Sequence, residues 1–212
     1  LGVVFQNQNK FNDAADMFKK SIALKPYYAE AYNNLGVALH HLGNLNEAKQ
    51  AYKKSITLKP NQAQVLNNMG LTLHDQGKMN EGLISFNKAI SLKPNYAEAY
   101  CNKGLTLKSL GKLDDSISAF NKSILINPNN SEAYNNMAVV LKTQGNLYEA
   151  IKAFEKAILL KPNYVEAYRN LGVAFNDIGM LEKAIKVFNK AIMLKPDNAE
   201  SHMNLSFTLL CN

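Results

Sequence analysis

The chain has 212 residues, 47% hydrophobic and 19% charged, so it is long enough to bury a core and too apolar to remain disordered. Its formal net charge is +7, which raises nucleic acid as a partner, a reading that depends on where the lysines sit. Only two cysteines occur, Cys101 and Cys211, with no other cysteine or histidine at ligand spacing, which excludes a disulfide framework and a zinc module and fits a reducing, cytoplasmic setting. No apolar run approaches the roughly 20 residues of a membrane span, so no membrane partner is expected.

The elements follow in order from the prolines. Pro26, Pro60, Pro94, Pro128, Pro162 and Pro196 recur every 34 residues, and internal repetition therefore organises the chain. With each proline at position 32 of its unit, residues 1–212 form one array. It has a partial repeat over 1–28, whole repeats over 29–62, 63–96, 97–130, 131–164 and 165–198, and a partial repeat over 199–212. Both ends fall inside the unit, so the sequence is expected to be a fragment of a longer protein.

Each repeat predicts two helices. The first ends near position 14, because Gly43, Gly77, Gly111, Gly145 and Gly179 follow at position 15, with Asn9 in the first fragment, and these residues tolerate left-handed backbone. The second carries 3.6-residue spacing, as in Ala150, Ile151, Phe154, Ala157 and Ile158, and stops before the proline. Asn61, Asn95, Asn129, Asn163 and Asp197 come next and are expected to N-cap the following helix. Small residues hold positions 8, 20 and 27, aromatics hold position 24, and position 4 is Tyr in four of five whole repeats, with Leu66 the exception. Small side chains let helix axes approach, and the rings fill the space between.

This set of positions resembles the tetratricopeptide repeat over the whole chain. The resemblance implies an all-α fold, a right-handed α-α superhelix of antiparallel helix pairs whose first helices line a concave face. It also implies a scaffold that binds proteins or extended peptides there.

In that family the inward row includes positions 2, 5, 6, 9, 12 and 13. Position 6 is Asn34, Asn68, Asn102, Asn136, Asn170 and Asn204; position 5 adds Asn33, Asn67 and Asn135, interrupted by Cys101 and Arg169. A carboxamide offers a donor and an acceptor and can pair with a peptide unit whatever its side chain. Helices about 8–10 Å apart and a strand rise of about 3.3 Å let each repeat meet every second or third ligand residue. The column resembles the asparagine ladder in the repeat region of the O-linked N-acetylglucosaminyltransferase family. A substrate-recruitment arm of a protein O-glycosyltransferase is therefore the alternative function, while bonds to the adjacent repeat or to water are the structural alternative for the asparagines.

Arg169 and, at position 12, His40, His74, Lys108 and Lys142 complete the candidate peptide-binding set. His40, His41 and His74 lack the further ligands a metal site needs and are read as solvated groove histidines. Position 9 is Val37, Leu71, Leu105, Val139, Val173 and Phe207, so the Asn-containing carboxylate clamp of chaperone-binding repeats is absent. The lysine columns at position 26 (Lys20, Lys54, Lys88, Lys122, Lys156, Lys190) and position 31 lie near the C-terminal ends of second helices, where cations complement the helix dipole; nucleic acid is not expected. No nucleophile, paired-carboxylate or phosphate-loop motif occurs, so neither catalysis nor a cofactor is expected. Lys103 occupies a position that is Leu or Met in its siblings, and its stem is expected to run along the core toward water. Leu205, Phe207, Leu209 and Leu210 of the last helix have no second helix to cover them, which favours self-association.

Overall fold

A computed structural model describes residues 1–211, with side chains through Leu210; the Cys211 thiol and Asn212 lie outside the described residues. Thirteen helices and no strand occur among the described residues: α1 (Gly2–Asn7), α2 (Phe11–Leu24), α3 (Ala29–His41), α4 (Leu45–Leu58), α5 (Ala63–Asp75), α6 (Met79–Leu92), α7 (Ala97–Ser109), α8 (Leu113–Ile126), α9 (Ser131–Thr143), α10 (Leu147–Leu160), α11 (Val165–Asp177), α12 (Leu181–Leu194) and α13 (Ala199–Cys211). First helices thus occupy positions 1–13 of the repeat and second helices positions 17–30. Two compact units result, Leu1–Thr106 and Leu107–Asn212.

The turn between paired helices has the expected chemistry. Gly43 has φ 77°, and its N–H bonds the His40 carbonyl at 2.9 Å while Asn44 N–H bonds the Leu39 carbonyl at 2.9 Å. These bonds close the end of α3, and only a residue at ease in left-handed backbone can make them. Asn9 does the same work at φ 58°.

The helix starts differ from expectation. The N-caps are Tyr28, Gln62, Asn130 and Tyr164, one residue after the expected Asn61, Asn129 and Asn163. The reason is a β-turn around the proline, in which Tyr164 N–H bonds the Lys161 carbonyl at 3.0 Å and Asn198 N–H bonds the Lys195 carbonyl at 3.1 Å. Proline and the residue after it are the two central turn residues, so that second residue is spent on reversing the chain. Where the true cap is Asn it functions as one: Asn130 Oδ1 accepts from Ala133 N–H at 3.1 Å, and Asn198 Oδ1 from Ser201 N–H at 2.8 Å.

The position-24 rings are the pivots of the core. Tyr52, Phe86, Phe120, Phe154 and Phe188 are fully buried. A Cβ added to Gly36, Gly70 or Gly172 would lie 2.6, 2.7 or 2.4 Å from the ring of its own repeat, so position 8 is small because the ring crosses it. In the first unit Phe18, Leu35, Leu39, Tyr52 and Val65 form one cluster and Leu66, Ala89, Tyr96 and Ala99 another. In the second, Ala138, Phe154, Leu171, Phe175 and Phe188 pack together, and Leu205 of α13 joins them, contrary to the expectation that it is uncovered. Met203, Phe207, Leu209 and Leu210 of α13 do face solvent. Lys103 is half-buried, and both lysine columns are exposed. Lys93 and Lys161 at position 31 also cover the Tyr96 and Tyr164 rings at 4.6 and 4.7 Å.

Candidate functional site

The 34-residue period places position 5 of one repeat beside positions 2 and 6 of the next. Asn67 on α5 is fully buried, and its Nδ2 donates to Glu98 Oε1 at 2.9 Å while its Oδ1 accepts from Asn102 Nδ2 at 3.0 Å. The carboxylate can only accept, so it dictates which end of the Asn67 amide faces it, and Asn67 in turn dictates that Asn102 presents its NH₂ group. The second unit repeats the arrangement: Asn135 Nδ2 donates to Glu166 Oε1 at 3.4 Å and Asn170 Nδ2 donates to Asn135 Oδ1 at 3.2 Å. At the start of the column Asn68 Nδ2 donates to Asn33 Oδ1 at 3.4 Å, and Asn33 Nδ2 donates to Asn34 Oδ1 at 3.3 Å.

Positions 5 and 6 therefore separate. The position-5 amides Asn33, Asn67 and Asn135 are 9%, 0% and 1% exposed, and they sit in the seam between repeats rather than on the open face expected for them. Arg169, in the same place, forms an ion pair with Glu200 and donates to Asn170 Oδ1 at 3.5 Å. The position-6 amides Asn34, Asn68, Asn102, Asn136, Asn170 and Asn204 are half-buried. For Asn68 and Asn102 the second N–H and the Oδ1 have no protein partner among the described residues, which leaves a fixed donor and acceptor on each. Beside them in the first unit lies a cavity of ≈580 Å³ lined by Val3, Gln6, Glu30, Asn34 and Gln64, with Asn33 in its wall.

Three position-12 side chains are also tied across repeats, which corrects the reading of His40 and His74 as solvated groove histidines. His40 Nδ1 lies 2.7 Å from Thr72 Oγ1, and its Nε2 lies 2.9 Å from Asp75 Oδ2. His74 Nδ1 lies 3.0 Å from Thr106 Oγ1, and Lys142 Nζ lies 3.4 Å from Asp177 Oδ2. Lys108 is half-buried. His41 stacks on Phe11 at 4.2 Å, and burial, followed by repulsion from His40, lowers its pKa. Beside the amide relay Tyr96 is pushed up to about 12, first by burial and then by the Glu98 carboxylate.

Sequence reasoning missed three participants, Glu at position 2, Thr at position 10 and Asp at position 13 (Asp75 and Asp177). The signal was present as recurrence: Glu98, Glu166 and Glu200 lie 31 residues after Asn67, Asn135 and Arg169, and Thr72, Thr106 and Thr208 lie 32 after His40, His74 and Asn176. Asn176 Nδ2 donates to Thr208 Oγ1 at 2.7 Å, the same tie with an amide in place of imidazole.

A comparison with curated protein sequences gave no significant match. Among solved structures the chain is similar to MamA (30% identity, 78% of this chain and 97% of that one, TM-score 0.69). It is also similar to YrrB, described as a TPR protein with an unusual peptide-binding site (24%, 89% and 97%, 0.66), and to the type IV pilus biogenesis factor PilW (18%, 97% and 95%, 0.88). The sequence profile of the tetratricopeptide repeat matches residues 29–62, 97–130, 131–164 and 165–198, and a second TPR repeat profile matches 2–43 and 70–111. The four blocks of the first profile coincide with units marked by the prolines, and the buried rings over small residues hold the two helices of each unit together; the chain belongs to the tetratricopeptide-repeat family.

Proposed function

We propose that the open face of the first helices binds extended peptide segments of partner proteins, with the position-6 asparagines reading the peptide backbone. The observation that carries this reading is the half-spent amide. Asn68, Asn102 and Asn170 each give one N–H to the seam, which fixes the ring of donors and acceptors before a ligand arrives. Ordering a side chain on binding costs about 0.5–1.5 kcal/mol, so an amide held in place keeps most of its roughly 0.5–1.5 kcal/mol hydrogen bond as affinity. Apolar Val37, Leu71, Leu105, Val139 and Val173 beside the column favour ligands with hydrophobic side chains. YrrB, similar in fold, carries a peptide-binding site of its own.

Panning an extended-peptide library against the wild type and Asn68→Ala/Asn102→Ala/Asn136→Ala tests the proposal. Selection by the wild type and loss in a variant that keeps its helical circular dichroism supports it; equal selection, or none, refutes it. The recruitment-arm alternative rests on the likeness of the column to that of the glycosyltransferases, and the parent reading frame decides it. Self-association has a separate support: Met203, Phe207, Leu209 and Leu210 of α13 are 65%, 65%, 55% and 87% exposed, and a second copy would cover them. Sedimentation of the wild type and of Phe207→Asp at rising concentration tests it, with a monomer throughout as the refuting result.

A further inference from the structure

The second helices of the first unit carry a site of another kind. Between α4 and α6, over α5, lies a cavity of ≈410 Å³ lined by Ile56, Leu66, Met69, Ile84, Lys53 and Lys88. It lies where repeat 63–96 departs from its siblings. Position 4 is Leu66, whereas Tyr32, Tyr100, Tyr134 and Tyr168 hold that place in the other whole repeats. A shorter side chain there leaves open the space that a ring would take. Position 22 is Ile84, 69% exposed, where the other copies have Asp16, Gln50, Ser118, Lys152 and Lys186. The tetratricopeptide-repeat profile matches the four other whole repeats and not this one.

The rim is cationic. Lys53 of α4 and Lys88 of α6 line it, Lys49 lies one turn before Lys53 on α4, and Lys78, the residue that precedes α6, lies near Lys49 with Glu81 as the acid among them. Lys78 crowds Lys49: a side-chain hydrogen bond and repulsion from Lys78, then desolvation and repulsion from Lys53, lower the Lys49 pKa, while Glu81 raises it. None of the four ammonium groups makes an ion pair among the described residues. An apolar floor flanked by ammonium groups without an ion-pair partner favours a ligand that supplies both an apolar group and negative charge.

We infer that this cavity docks a partner protein segment in which one aromatic side chain is flanked by acidic residues. The ring takes the volume left by Leu66, beside Ile56, Met69 and Ile84, and the carboxylates meet Lys53 and Lys88 at the cavity and Lys49 one turn before Lys53. This inference does not depend on the peptide reading of the first helices, since the two sites share no residue.

The test uses the whole chain and a fluorescein-labelled peptide with one Phe between runs of Glu, followed by anisotropy. The wild type is expected to bind it, and Leu66→Tyr, which restores the residue of the sibling repeats, to weaken it roughly tenfold, the worth of one buried apolar anchor. Ile84→Ser, at an exposed position that does not threaten folding, is expected to weaken it as well, and Asn68→Ala/Asn102→Ala to leave it unchanged. No binding to the wild type overturns the inference. So does equal binding by both pocket variants, equal binding of the peptide with Ala for Phe, or loss in the asparagine variant. Displacement by single-stranded oligothymidine from the wild type and Leu66→Tyr alike overturns it in favour of a general anion surface.

Discussion

Asn67 offers the sharpest test of the relay, because it is fully buried and cannot touch a ligand. Asn67→Ala removes a bond to the Glu98 carboxylate and a bond from Asn102. A neutral hydrogen bond contributes about 1 kcal/mol net and one to a charged group about 1.5–3 kcal/mol. Glu98 is exposed and Asn102 half-buried, so both recover some hydration and the low end of these ranges applies. The expected loss is about 2–3 kcal/mol, roughly 4–12 °C in midpoint for a chain of this size. Asn67→Asp discriminates further, since it sets a carboxylate against Glu98 and is expected to cost more than alanine at neutral pH. Two carboxylates held together raise each other's pKa above the unfolded value, so the penalty holds above the ordinary carboxylate range and is relieved as pH falls through it. Thermal and urea unfolding at neutral and acidic pH, with exposed Asn121→Ala as control, supply the readout. An aspartate variant as stable as the wild type at neutral pH refutes the relay.

Further expectations follow from the same geometry. Gly172→Ala forces a Cβ to within 2.4 Å of the Phe188 ring, and overpacking of this kind costs about 1–3 kcal/mol in thermal unfolding, whereas no change means the ring can shift freely. Tyr96, raised from 10.0 to about 12, keeps its proton in the folded state after the unfolded chain has lost it, so stability falls as pH rises from about 10 to 12; Tyr96→Phe makes that fall shallower and leaves the share of Tyr52, which burial raises as well, read by unfolding at alkaline pH. Asp75→Ala removes the partner of His40 Nε2 while leaving Thr72 on Nδ1, and is expected to cost about 0.5–1.5 kcal/mol in thermal unfolding, with no effect as the contrary result.

Most of the fold was legible because it repeats: six prolines fix the period, and the glycines at position 15 and rings at position 24 fix the helices and the core. The helix starts were not, since an asparagine after proline reads equally as an N-cap or as a turn residue, and only the bond from Tyr164 N–H to the Lys161 carbonyl chooses between them. The asparagine column was legible as a column but not as two. Positions 5 and 6 are neighbours on a helix, about 100° apart, so the same residue type at both leaves open which one enters the seam. The answer lies in Glu98 and Glu166, acids that only the structure brings beside Asn67 and Asn135.

If the column binds a peptide as proposed, that division of labour predicts unequal steps along it. An asparagine on an open helix face must give up rotamer freedom to meet a ligand, whereas Asn68, Asn102 and Asn170 have already given it up to the stack. Asn204 follows Arg169, whose guanidinium is engaged with Glu200 and Asn170, and a guanidinium has no acceptor to offer an amide. The last rung therefore lacks the anchor that Asn68, Asn102 and Asn170 share. On the proposed peptide reading, stability and recognition draw on one network, so a substitution in the seam is expected to weaken peptide binding without touching the peptide, and a peptide held by the position-6 amides is expected to hold the repeats together in turn.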